Sequence, residues 1–215
     1  MQTIKNAVIA AAGMGKRLGF DMPKPLIKIH EKTLIEYQLD LLQEIENIYV
    51  IVGFRAEEMI NHINSIRKDV IFVMNHDYAH TSTLFSLQLA LRYIKGPYIF
   101  LDGDIYLHKK EFLSFLEKAS ASSEDIIGIT KTKSEDSVFV EMNDKGQVID
   151  FTRKIKHEHE WLGLGYFKNV LFSSNEKLAD VFSQLYKYLP LNSFVFDAYE
   201  IDTPKDLELA ERYIT

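Results

Sequence analysis

Apolar residues recur along this chain with two periods, and their alternation predicts its elements. Residues 4–10 are a short β-prone run ending in Ala11-Ala12-Gly13, and they read as a buried first strand. Thr33 then precedes a segment with apolar residues at 34, 35, 39, 41, 42 and 45, and Glu36 follows Thr33 in capping-box position. An amphipathic helix over 34–46 is expected. Residues 48–53, 70–74 and 98–104 are further apolar runs of strand length, the last ending in Asp102-Gly103-Asp104. Residues 55–67 and 82–94 carry helical spacing between them, the second capped by Thr81 or Ser82.

Strands alternating with helices predict an α/β fold of three layers, a mostly parallel sheet with helices on both faces. After residue 124 the rhythm changes. Residues 126–130, 137–142 and 147–151 read as strands, with Asn143-Asp144-Lys145-Gly146 as a hairpin turn, so a small antiparallel addition is expected. Residues 152–160 are polar and read as a mobile loop, and residues 161–167 as a strand. A helix near 175–188, a strand through 193–202 and a helix from Thr203 to Tyr213 complete the pattern. With no repeat, linker or low-complexity segment, residues 1–215 read as a single domain.

Composition narrows the function classes. Hydrophobic residues are 47 % and charged ones 26 % of the 215, which suffices for a full core. No apolar run reaches the ~18 residues of a membrane span. The apolar stretch before Gly13 is short and is followed by Lys16 and Arg17, a poor signal peptide. The absence of cysteine removes disulfides and thiolate metal sites, and suits a cytoplasmic enzyme. A net charge of −6 argues against nucleic acid as a partner.

Against that acidic background, Lys16, Arg17, Lys24 and Lys28 gather around the loop after the first strand. Gly13, Gly15 and Gly19 are spaced GxGxxxG, which departs from the dinucleotide fingerprint, and Pro23 and Pro25 forbid the helix that such a fold needs next. The alternative is a loop that wraps a triphosphate. Glycines let backbone N–H groups approach phosphate, and Lys24, between two prolines, is a cation on a stiff segment suited to charge developing in phosphoryl transfer.

Two acidic clusters complement the loop. Asp102 and Asp104 lie at the carboxyl end of a buried strand, where paired carboxylates call for a cation such as Mg²⁺. Tyr199-Glu200-Ile201-Asp202-Thr203-Pro204 offers a second cluster, although Asp202 is also a candidate N-cap for the last helix. His157 and His159 read as solvated rather than metal-binding, and His76 and His80 as lining the nucleotide pocket.

Residues 11–25 resemble the GxGxRxxPxKP loop of the sugar-phosphate nucleotidyltransferase superfamily (MobA-like NTP transferases), through Gly13, Gly15, Arg17, Pro23, Lys24 and Pro25. Residues 75–87 are similar to the N-x-x-Y…S-L segment of the phosphocholine and 2-aminoethylphosphonate cytidylyltransferases. The resemblance implies a Rossmann-like nucleotidyltransferase fold, CTP as donor, a small phosphorylated acceptor, Mg²⁺ as cofactor and release of pyrophosphate. It implies Lys24 and Arg17 as catalytic, and Asp104 and Asp202 as metal ligands. Ala11, Ala12, Gly13, Met14, Gly15, Lys16, Arg17, Asn75, Ser82, Thr83 and Asp102 would meet the nucleotide, and Trp161 and Glu200 the acceptor. A sugar-1-phosphate enzyme using UTP, GTP or dTTP and a non-catalytic nucleotide sensor are the alternatives. A second copy of the chain is a possible partner.

Overall fold

The computed structural model describes residues 3–173 and 175–214. The first half runs β1 (Asn6–Ala11), a hairpin of β2 (Lys28–Ile29) and β3 (Lys32–Thr33), α1 (Leu34–Leu41), β4 (Asn47–Val52), α2 (Ala56–Ile66), β5 (Val70–Met74), α3 (Thr83–Leu91) and β6 (Tyr98–Asp102). Then follow β7 (Ile105–Leu107), α4 (Lys109–Ala121), β8 (Ile126–Lys131), β9 (Phe139–Met142), β10 (Gln147–Thr152) and β11 (His159–Phe167). The chain closes with α5 (Val181–Leu185), β12 (Leu191–Phe196), β13 (Ala198–Glu200) and α6 (Pro204–Tyr213).

The main sheet has the order β5-β4-β1-β6-β11-β8-β12-β10-β9. Its first four strands are parallel, and β11 enters antiparallel to both β6 and β8. The fold is the expected three-layer α/β arrangement. The addition after residue 124 amounts to five strands, with β12 parallel to β8.

Alternation along the strands feeds two cores. Ala7 and Ile9 of β1 pack with Leu39, Met59, Ile63, Phe112 and Phe115, so α1, α2 and α4 cover one face. Val8 packs with Leu84, Leu87, Val181 and Leu185, which places α3 and α5 on the other.

Several boundaries differ from the sequence-based expectation. α1 stops at Leu41 and residues 42–44 form a turn. Only Val181–Leu185 and a 3₁₀ turn at Tyr186–Tyr188 are helical where a helix near 175–188 was expected. The expected mobile loop 152–160 is shorter at both ends, because Thr152 closes β10 and β11 begins at His159. Glu160, placed in that loop by its polarity, is buried. Helix α4 was not anticipated: its charged first turn hides Phe112, Phe115 and Ala119, spaced three and four apart on one buried face.

Candidate active site

At the carboxyl ends of β1, β6 and β5 the chain leaves a cavity of about 500 Å³, within the range of small-molecule sites. Gly13, Gly15, Lys16 and Arg17 line it from the loop after β1, and Asp102, Gly103 and Asp104 from the end of β6. Parallel pairing sets Ala10 opposite Asp102, and Gly103 N–H donates to Ala10 O at 2.9 Å, which locks the acidic turn against the root of the loop.

The loop itself is shaped by one close approach. Gly15 has φ +58°, and a Cβ there would stand 2.7 Å from Lys24 Cγ, so only glycine lets the lysine stem pass beneath it. Pro23 caps a 3₁₀ turn over Lys24–Leu26, with Pro25 inside it, that holds Lys24. Its Nζ hydrogen-bonds Asp104 Oδ2 at 2.8 Å and also Asp202 Oδ1. Burial by itself would lower the ammonium's pKa. The two carboxylates outweigh it and hold the group above its ordinary value.

The two acidic clusters, far apart in sequence, meet because β7 and β13 form a two-stranded antiparallel ribbon. Glu200 stands opposite Ile105, and Ile201 N–H donates to Asp104 O at 2.9 Å. Asp202 is not the cap of α6. Thr203 caps it in a capping box with Asp206, which leaves the Asp202 carboxylate free to face the cavity. Arg17 reaches Asp202 at 2.7 Å and Asp136 at 3.8 Å.

Carboxylate oxygens of Asp104, Glu200 and Asp202 all lie within 4.8 Å of one another. An all-oxygen set of hard donors suits Mg²⁺, and two of these groups already hold a cation, the Lys24 ammonium. The residues therefore fit a divalent metal. Burial, then Asp104, drives the Asp102 carboxyl well above the carboxylate range, against the pull of Lys24. Glu200 keeps a solvent-facing edge while its carboxyl turns inward, and desolvation followed by Asp104, Asp202 and Asp102 raises it in the same way. Both groups are therefore easier to protonate than ordinary carboxylates.

Other expected residues divide between cavity surface and scaffold. Ala11, Ala12, Asn75, Ser82 and Thr83 line the cavity, whereas Met14 and Lys28 do not. Asn75 is 1 % exposed, and its Nδ2 donates to Thr81 Oγ1 and Ser86 Oγ, both at 2.9 Å. Asn75 Oδ1 accepts from Asp77 N–H at 3.0 Å. Ser82 caps α3 and donates to Ala179 O at 2.6 Å. These two side chains build the wall and leave exposed Thr83 facing the space. His76 and His80 lie off the cavity; His80 pairs with Asp77 at 3.0 Å in solvent.

At the opposite end Trp161 is both core and wall: it packs edge-on to Phe151 and also borders the cavity. Gly163 follows at φ +69°, in a β-bulge of β11, and cradles Asp102 so closely that a Cβ would meet Oδ2 at 2.2 Å. The sequence reading missed Asp136, Ser137, Arg153, Asp180 and Phe182, which complete this end. Asp136, Ser137 and Arg153 come from loops with no periodic signal, while Asp180 and Phe182 stand at the start of α5. It also missed Gln38, whose Nε2 donates to Asp102 O at 2.8 Å and Ile105 O at 2.9 Å, clasping the acidic turn from α1.

A glycine-rich basic loop faces a carboxylate trio at the carboxyl edge of a doubly covered α/β sheet, where such sheets bind ligands. The chain belongs to the MobA-like NTP transferase domain family, whose pattern matches residues 7–180. Over 119 residues it is 34 % identical to choline-phosphate cytidylyltransferase of Streptococcus pneumoniae, 53 % of this chain and 51 % of that protein. It is also 29 % identical over 154 residues to the bifunctional protein GlmU of Methanococcus vannielii, 69 % of this chain and 35 % of that one. The matches thus span about half, or less, of these curated relatives. In fold the chain is similar to CTP:phosphocholine cytidylyltransferase from Streptococcus pneumoniae, with TM-score 0.79, 22 % identity and coverage of 99 % and 100 % of the two chains. It is likewise similar to the inositol-1-phosphate CTP transferase from T. maritima, at TM-score 0.76, 20 % identity and coverage of 99 % and 97 %.

Proposed function

We propose that this chain is a CTP-dependent nucleotidyltransferase, which couples CMP to a small phosphorylated acceptor and releases pyrophosphate. The observation that carries the reading is the meeting of Lys24 and Arg17 with Asp104, Glu200 and Asp202 in one cavity beside the glycine loop. Such a set binds triphosphate and metal together and contains no side chain that must act as nucleophile.

In this reading the triphosphate lies along residues 11–17, with backbone N–H groups and Lys16 toward its phosphates. The base occupies the end near Asn75 and Thr83, and the acceptor the end near Trp161, Asp136 and Asp180. Asp104 and Asp202 would hold Mg²⁺, with Glu200 beside them rather than at the acceptor, and the metal would supply Lewis-acid charge for phosphoryl transfer. Lys24 leaves its carboxylates for the α-phosphate and steadies the charge that develops there. Arg17 turns from Asp202 to the pyrophosphate. The acceptor phosphate oxygen then forms the new P–O bond in line as the bond to pyrophosphate breaks, and the residues contribute positioning and charge.

The donor reading draws on the cytidylyltransferases among the relatives, and the GlmU matches keep a sugar-1-phosphate acceptor as the second reading. The chain would act as one domain. No helix among the described residues is long and apolar enough to cross a membrane. We infer a cytoplasmic setting, where nucleotides are made.

The test offers CTP, UTP, GTP and dTTP in turn with phosphocholine, aminoethylphosphonate, inositol phosphate and hexose-1-phosphates, and follows pyrophosphate. Turnover is expected with CTP and a non-hexose acceptor. Turnover confined to hexose-1-phosphates would overturn the acceptor assignment. Nucleotide binding that yields no pyrophosphate with any pair, and survives Asp104→Asn, would favour the sensor.

A further inference from the structure

The main sheet closes on one side and ends bare on the other. At the far end β9 pairs with β10 and folds back onto β11, so the last strand has a neighbour on each side. At the near end β5 has β4 on one side and, among the described residues, no strand on the other. An uncovered edge invites another strand, and proteins commonly blunt it with proline, a bulge or charge. Strand β5 carries none of these. It reads Val70-Ile71-Phe72-Val73-Met74, in unbroken register with β4. Ile71 is 41 % exposed and Met74 38 %, while Val70 and Phe72 are half-buried.

One bond fixes which backbone groups of β5 are free. Asn75 N–H donates to Val52 O at 2.8 Å, so residue 75 faces β4. In a parallel ladder the N–H and C=O of one residue point to the same side, and the side changes at each step. Ile71 and Val73 therefore bond to β4, and the N–H and C=O groups of Val70, Phe72 and Met74 point outward. Side chains alternate as well: Val70 and Phe72 pack toward the α2 face, and Val73 toward the α3 face.

We propose that β5 is the contact between two copies of this chain, paired antiparallel about a two-fold axis at Phe72. The outward residues 70, 72 and 74 are symmetric about that axis. Val70 then meets Met74 of the second copy, Phe72 meets its own counterpart, and each pair exchanges both bonds. On the other face Ile71 meets Val73 of the second copy, which covers the most exposed side chain of the strand. Every cross-strand pair is apolar, a favourable set. The flanks agree with this register. Arg67 falls opposite Asp77, Asp69 opposite Asn75 and Lys68 opposite His76, so no pair sets like charges together while His76 is neutral. Asp77 now meets His80 and Lys177 at the surface, and such exposed pairs change partner at little cost. A foreign strand could use the outward groups, but the two-fold match of side chains and flanks belongs to this edge alone.

Sedimentation equilibrium compares the wild type with Ile71→Lys and Met74→Pro. The wild type should be dimeric at about 50 μM. Met74→Pro removes an outward N–H and no bond to β4, so the fold should stand while the dissociation constant rises at least about tenfold. Ile71→Lys sets a charge against Val73 of the second copy and should weaken the dimer as much. Amide exchange then locates the contact. Ile71 and Val73 should be slow at every concentration, whereas Phe72 and Met74 should slow about tenfold as dilute protein is brought to the dimeric range. The chain has no cysteine, so Phe72→Cys places one thiol at the axis. Cα atoms of such a hydrogen-bonded pair stand about 5.5 Å apart, within disulfide reach, and oxidation should join two chains. A monomeric wild type at that concentration overturns the proposal, even if its edge captures a strand of another protein. A dimer that both variants leave intact, or whose Phe72 and Met74 amides exchange alike at all concentrations, has its contact elsewhere and overturns it too. If Met74→Pro does not fold, Ile71→Lys and the exchange pattern decide.

Discussion

Replacing Gln38 by Leu asks whether the acidic turn is held from the helix beneath it. Gln38 sits on α1 with 1 % exposure, and its Nε2 spans the carbonyls of Asp102 and Ile105, the residues that bracket Gly103-Asp104. A net hydrogen bond contributes about 0.5–1.5 kcal/mol, and a stranded buried acceptor costs about 1–3 kcal/mol. Against this, leucine removes the Gln38 Oε1, which is buried without a partner and is itself a penalty. A net loss on the order of 2 kcal/mol follows, or roughly 4–8 °C in Tm for a chain of this size. Calorimetric unfolding in EDTA measures that part. Titration with Mn²⁺ measures the second consequence, because a turn free to shift by a fraction of an ångström carries Asp104 out of register with Glu200 and Asp202. Metal affinity should fall about tenfold. Gln38→Glu is the control: it keeps the shape but sets an acceptor against two carbonyls, so it should do no better than leucine. A glutamate variant with wild-type Tm and metal affinity would refute the clasp.

Three further outcomes follow from the same geometry. Lys24→Met should cut turnover about 10²–10³-fold, as loss of one charge-stabilising donor does, yet bind Mn²⁺ at least as tightly as the wild type, because the ammonium and the metal compete for Asp104 and Asp202. Gly163→Ala should lose metal binding and a large share of stability, read by circular dichroism and titration, since φ +69° and the Asp102 carboxylate both oppose a Cβ. The third concerns pH. Asp102 is raised above its unfolded value, so its proton-linked stability is full below about pH 4 and is lost as pH climbs through the folded value. In EDTA, the stability of Asp102→Asn relative to wild type should therefore improve as pH rises from about 4, and Mg²⁺ uptake by the wild type should release protons to the buffer in calorimetry. A flat difference would show that burial does not hold the proton there.

Much of this site was legible in the sequence because its key groups are tied to strand ends and stiff turns. Gly13, Gly15, Pro23, Lys24 and Pro25 announce a fixed loop, and Asp102 and Asp104 follow directly on a buried run, so local pattern and location agree. Asp202 was ambiguous for a physical reason: Asp and Thr compete for the same cap, and only the reciprocal bonds between Thr203 and Asp206 settle it. Asn75 and Ser82 were found but cast differently, since their polar atoms are consumed in shaping the wall. Gln38, Glu160 and Asp136 were beyond reach. Gln38 fills a buried position on an otherwise apolar helix face, and Glu160 lies in a polar stretch that reads as solvent-facing. Gln38 owes its role to carbonyls distant in sequence, and Asp136 reaches the cavity from a loop without periodicity.

The charge arrangement explains how an acidic protein can keep such a cavity both folded and receptive. Without ligands, Lys24 answers Asp104 and Asp202, Arg17 answers Asp202, and the remaining repulsion shows as raised pKa values at Asp102 and Glu200. In the proposed reading, a nucleotide arriving with its cation would offer each partner a replacement: a metal for the carboxylates and phosphate for Lys24 and Arg17. Because Lys24 is tethered between Pro23 and Pro25, the exchange needs only its side chain to swing, so the reacting geometry is set by a backbone already in place. The cost of assembling the acidic cluster is thereby offset by the protein's own cations, where the turn at Gly103 meets the ribbon of β7 and β13.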